Sequence, residues 1–203
     1  MTLAPDRPPV FSAAELDLMK RADWLLTKRQ IQDKIFALLQ LTEKAIEPVW
    51  HARQHPLTSV APWPTAKISR GENYRGLPYL ILDYPARFDK QDIFAYRTMF
   101  YWGHFFSLTL HLQGFFLHDY RINLYHGATR LMGPEVYISN GPTPWEYHYG
   151  EDNYILLDEH SKEKILVDPF IKLSVRLSLS DWQELPHLAA ERLAQWVEVL
   201  WYS

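Results

Sequence analysis

Alternation of apolar and polar residues is clearest in the middle of the chain, over residues 102–114. Read in twos, Phe106, Leu108, Leu110 and Leu112 fall on one side, and Phe105, Ser107, Thr109, His111 and Gln113 on the other. The first set predicts a sheet face that lies against helices, the second a face turned to a cleft or to water. Residues 170–179 repeat the pattern, with Ile171, Leu173, Val175, Leu177 and Leu179 alternating with Lys172, Ser174, Arg176 and Ser178. Strict alternation in both stretches argues for an antiparallel sheet rather than a parallel one buried on both faces.

Helical spacing governs both ends. Ser12 followed by Glu15 is a capping-box pattern and opens a long helical segment. Its stripe of Leu16, Met19, Trp24, Ile31, Ile35, Leu38, Leu39, Thr42 and Ile46 runs to about residue 50, with a break near Asp23. Pro48 is a candidate kink, Pro56 the expected stop, and residues 56–65 a loop. Ser180 with Gln183 predicts the cap of a final helix carrying Leu185, Leu188, Leu193, Trp196, Val197 and Leu200.

Between these ends, residues 66–70 and 77–84 read as strands joined by a loop over 71–76 that holds two glycines. Pro85 should stop the second strand. Asp89 and Asp92 then suggest a helix over 90–101, with Gly103 behind it. A helix over about 117–131, a strand over 135–139, a turn at 140–144 and a hairpin from 145–149 to 154–158 complete the reading. The expected fold class is α+β. A curved antiparallel sheet of about five to seven strands carries helices on one face, with a long N-terminal helical segment and a C-terminal helix. Three prolines in residues 1–10 predict an irregular arm over 1–11, followed by a single domain over 12–203.

Composition changes this picture little. The chain has 203 residues, 47% hydrophobic and 15% aromatic, with eight Trp. Such a content suits wet pockets and interfaces, because indole N–H and phenol O–H groups need partners when buried. No cysteine is present, which removes thiolate nucleophiles, disulfides and iron–sulfur clusters. No apolar run approaches the ~20 residues of a membrane span and no secretory leader is visible, so no membrane partner and a cytoplasmic location are expected. Residues 1–130 hold 16 Lys+Arg and 12 Asp+Glu, while residues 131–203 hold 5 and 12. A solvated acidic surface accounts for the second part, and no basic stripe points to nucleic acid.

Three constellations could carry chemistry. His51 and His55 have the spacing of a metal-binding helix, but no Glu follows the first His and no third ligand is in sight, so neither a metal nor a cofactor is expected. Arg70, Arg75, Arg87 and Arg97 could clamp an anion, or form ordinary surface ion pairs. The strongest candidate is the polar face of the sheet. His111 and Thr109 lie there, and Arg176 joins them if residues 170–179 pair in the same sheet. Trp145, Glu146 and His148 would come from the neighbouring hairpin, and Arg97 from the arginine set. These residue types can bind a small polar or anionic ligand. They also allow proton transfer by His111, His148 and Glu146, though no spacing specifies a reaction. The alternative is a non-enzymatic interaction module or homodimeric adaptor, which the aromatic content suits equally.

Overall fold

The computed structural model describes residues 8–52 and 66–201. The chain divides into two compact units, residues 1–35 and 36–203. In the first unit, α1 (Ala13–Met19) starts at the predicted capping box. The Ser12 hydroxyl accepts from the Glu15 N–H, and the Glu15 carboxylate accepts from the Ser12 N–H at 2.7 Å. The helical pattern breaks at Lys20–Arg21 and resumes as α2 (Ala22–His51), whose residues from Phe36 onward belong to the second unit. Pro48 lies inside α2. Pro56, His55 and the expected loop over 56–65 lie outside the described residues.

The second unit is built on an open seven-stranded sheet in the order β1-β2-β3-β4-β7-β5-β6, every neighbouring pair antiparallel. The strands are β1 (Lys67–Tyr74), β2 (Leu77–Phe88), β3 (Ile93–Tyr101), β4 (Phe105–Gln113), β5 (Val136–Ser139), β6 (Tyr154–Leu156) and β7 (Phe170–Leu177). β1 and β2 meet in a tight turn whose central residues, Arg75 (φ 49°) and Gly76 (φ 83°), both lie in the left-handed region. Hairpin turns of that hand match the twist of the strands, so the expected six-residue loop shrinks to two. β4 is the predicted central strand, and it pairs with β7 in the register that aligns Ser107 with Arg176, Thr109 with Ser174 and His111 with Lys172.

Two expectations in this region fail. Pro85 does not stop its strand. A shift of register between Asp83 and Ala86 carries the ring, which has no N–H for the ladder, and β2 continues to Phe88. The helix expected over 90–101 is instead strand β3. Ile93 through Tyr96 and Thr98 through Tyr101 are buried, covering both faces, so no period of two shows through. Asp92 does cap a helix, but a different one. Its Oδ1 accepts from the Phe115 N–H at 2.7 Å, at the start of α3 (Phe115–Leu131), where Gly114 has no side chain to offer.

The apolar face forms the core with α3, α5 (Leu185–Trp201) and the 36–51 part of α2. Leu80, Leu82, Leu108, Leu112 and Leu173 have no exposed surface. Tyr96 stacks edge-on with Trp196 and donates to the Ala189 carbonyl at 2.7 Å, while Phe94 packs on Trp50, Phe116 and Tyr120. α3 and α5 touch closely at Gly127, where a Cβ would overlap the Val199 side chain. The short α4 (Lys164–Val167) precedes β7. The C-terminal helix is reached by a route slightly different from the predicted one. Ser178 and Asp181, not Ser180 and Gln183, form a capping box, and it opens a short 3-10 turn before α5. No described helix is long and apolar enough to cross a membrane.

Candidate functional site

The second face of the sheet is polar along β4 and β7 as the alternation predicts, but it is covered. Ser107, Thr109, His111, Lys172 and Ser174 are all at least 93% buried. The cover is the strap of residues 140–153 that joins β5 to β6. Residues 145–149, expected as a strand, run irregularly across the face, and β6 pairs with β5 instead. The backbone shows why. The N–H groups of Tyr147 and His148 both donate to the Tyr74 phenol oxygen, at 2.7 and 3.0 Å, which consecutive residues of a paired strand would not do. Lys172 Nζ donates to the Glu146 carbonyl at 2.6 Å, and Asn153 Nδ2 donates to the His148 carbonyl at 2.6 Å. Tyr149 and Ser174 share a hydrogen bond of 2.5 Å.

The strap divides the predicted site residues into two groups. Beneath it, Arg97, Thr109 and His111 line a small cavity together with Lys172, Tyr147 and Tyr154. Arg97 lies between β2 and the strap, held by Asp83 and the Tyr147 hydroxyl. Burial opposes its charge, but Asp83 more than compensates and raises its pKa. Burial, with Lys172 and Arg97 nearby, lowers His111 to about 3, so its ring is neutral at physiological pH. Trp145 meets the His111 ring edge-on at 6.0 Å and is itself half exposed.

At the edge of the strap, His148 and Arg176 line an open groove of ≈ 480 Å³ with Arg75, His104, Phe105 and Tyr149. The β1–β2 turn supplies Arg75, whose Nη2 lies 3.1 Å from His148 Nε2 and 3.7 Å from the Glu146 carboxylate. Tyr74 donates to Glu146 at 2.8 Å, and burial together with that carboxylate raises its phenol to about 12. Glu146 and Asp152 flank the His148 ring, at 3.3 Å from Nδ1 and 3.0 Å from Nε2. Arg176 is different. It is exposed, its guanidinium lies 5.5 Å from the centre of the Tyr149 ring, and among the described residues it has no carboxylate partner. His104 stacks on Tyr101 with ring centres 4.4 Å apart and planes 10° from parallel.

The arginine set does not converge. Arg70 lies over the Phe36 ring, Arg87 is 3.4 Å from Asp89, Arg97 is held by Asp83, and only Arg75 reaches the groove. His51 lies 3.3 Å from the Tyr84 hydroxyl, and among the described residues no three His, Asp or Glu side chains gather as a metal site would need. Sequence reasoning passed over His104 and Tyr74, which sit in turns and at strand ends where no period marks them. Comparison of the chain with models of known protein families, with curated proteins and with solved structures finds no match in any of the three.

Proposed function

We propose that the protein binds a small anionic ligand, a carboxylate or phosphate, in the groove between the β1–β2 turn and the end of β7. The observation that carries this reading is Arg176, an exposed guanidinium on the rim of a concave site that forms no ion pair among the described residues, although Glu135 shares the lining of the groove. Arg75 offers a second guanidinium only loosely held by Glu146, and two planar forks suit bidentate contact with a carboxylate or phosphate. The rings of Tyr101, His104, Phe105 and Tyr149 give the groove flat apolar walls, and its volume falls in the range of small-molecule sites. A thermal-shift titration with benzoate and with inorganic phosphate tests it. Wild type should gain stability, about 2.7 kcal/mol at ~100 times the dissociation constant, and Arg176→Ala should lose the gain. Equal shifts in both proteins would remove the reading.

A second reading, association of two copies, has its own observation. In the unit of residues 1–35, Phe11, Leu18, Met19, Leu25 and Leu26 are between 51% and 68% exposed. Large apolar side chains clustered in one short stretch mark a surface that gains by being covered.

A further inference from the structure

The small cavity under the strap has the features of a second site, independent of the groove. Its free volume is ≈ 10 Å³, room for about one water-sized particle. Lys172, Arg97 and His111 are among the residues that line it, and none has all its nitrogen hydrogen-bonding capacity used among the described residues. Lys172, 2% exposed, donates to the Glu146 carbonyl and faces the Tyr154 ring at 4.6 Å, leaving its ammonium without a bonded carboxylate among the described residues. Arg97 spends three N–H groups on Asp83 and Tyr147, and a guanidinium has five. His111 Nε2 is buried with no hydrogen-bond partner among the described residues. The hydroxyls of the same face are already occupied with one another, Thr109 with Ser174 at 2.7 Å and Ser174 with Tyr149.

Charge separates the possible occupants. Asp83 neutralises Arg97, but among the described residues Glu146 is the one carboxylate that acts on Lys172, and from a distance, while it is engaged by Tyr74 and Arg75. A buried cation is stable when an opposite charge or deprotonation relieves it. A water molecule would complete hydrogen bonds and leave the charge as it is. A monatomic anion would do both, accepting from the ammonium, from the spare guanidinium N–H and from His111 when Nε2 carries the ring proton.

We propose that this cavity binds a single monovalent anion of about chloride size, with Lys172, Arg97 and His111 as its donors. The small free volume suits a monatomic anion better than sulfate, phosphate or an organic carboxylate. Binding is linked to the protonation of Lys172, because the charged amine is the form the anion stabilises. The groups that face this amine are Arg97 from β3, His111 from β4, Tyr154 from β6 and Glu146 from the strap.

The test is thermal unfolding of the full chain at fixed ionic strength, with chloride exchanged against gluconate. At ten times the dissociation constant, chloride should raise the midpoint by about 3–6 °C, and the shift should be larger at pH 6 than at pH 9. Lys172→Met should abolish it, while Arg176→Ala, which empties the groove, should keep it. Bromide soaked into wild-type crystals should give an anomalous peak between Lys172 and His111, a readout that survives if Lys172→Met fails to fold. A chloride shift equal to that of gluconate, or a bromide-free cavity, overturns the proposal.

Discussion

Arg97 and Asp83 lie opposite each other on β3 and β2 and are joined by two hydrogen bonds, Nε to Oδ1 at 2.7 Å and Nη2 to Oδ2 at 3.0 Å. Both side chains are nearly buried, 13% and 10% exposed. The fork also holds the strap, since Nη1 donates to the Tyr147 hydroxyl at 3.0 Å. Removing one partner strands the other charge in the interior. Asp83→Ala should therefore cost about 3–5 kcal/mol of unfolding free energy, read as a drop in the urea midpoint. The double variant Asp83→Ala/Arg97→Met should recover part of the loss. A change below about 1 kcal/mol in the single variant would show that the pair behaves as a solvent-screened surface bridge.

Gly127 permits the contact of α3 with α5, because any Cβ there meets the Val199 side chain. Gly127→Ala should destabilise by about 1–3 kcal/mol, the usual cost of overpacking, although alanine is the better helix former. Val199→Ala in the same chain should make the added methyl tolerable. Unchanged thermal stability of Gly127→Ala alone would contradict the close packing.

The two nitrogen bases under the strap make stability depend on pH. Burial and the neighbouring Arg97 lower Lys172 to about 7 from the ordinary 10.5, with Glu146 acting in the opposite sense. Above about 7 the unfolded chain holds a proton that the folded chain has lost, so stability rises with pH from 7 towards 10.5. His111, lowered to about 3 from 6.5, adds a loss of stability as pH falls from 6.5 towards 3, where only the unfolded ring takes a proton. Denaturant titrations in chloride-free buffer between pH 7 and 9, where tyrosines stay protonated, should show the alkaline rise in wild type. Lys172→Met should flatten it, and an identical rise in that variant would assign the effect elsewhere.

Association through the first helices predicts concentration-dependent sedimentation. Leu25→Glu with Leu26→Glu should shift the population towards monomer, because charge on this surface cannot be buried against another copy without cost. A wild-type chain that sediments as a monomer at every concentration would remove the homodimer.

The sheet was legible where one side of a strand is apolar and the other polar. β4 and β7 carry that signature; the alternation gives each its polar side, while the pairing that aligns His111 with Lys172 is not contained in it. β3 was not legible, because a strand apolar on both sides has no period of two, and Asp89 and Asp92 imitate a helix start. The strap misled for another reason. Its path is fixed by the Tyr74 phenol, 73 residues before Tyr147, which draws in the N–H groups of Tyr147 and His148, and no local pattern reports such a partner. Strand parity puts His111 and Arg176 on the same face, and so points to a single cluster. The strap turns that face into an inner cavity with Arg97, Thr109 and His111 and an outer groove with His148 and Arg176.

The groove is tested most directly by calorimetric titration of benzoate into wild type and Arg176→Gln. Charge-assisted hydrogen bonds are worth about 1.5–3 kcal/mol, so the variant should bind at least about tenfold more weakly, with its thermal stability unchanged. Equal dissociation constants, or no binding heat in the wild type, would contradict an anion site built on Arg176.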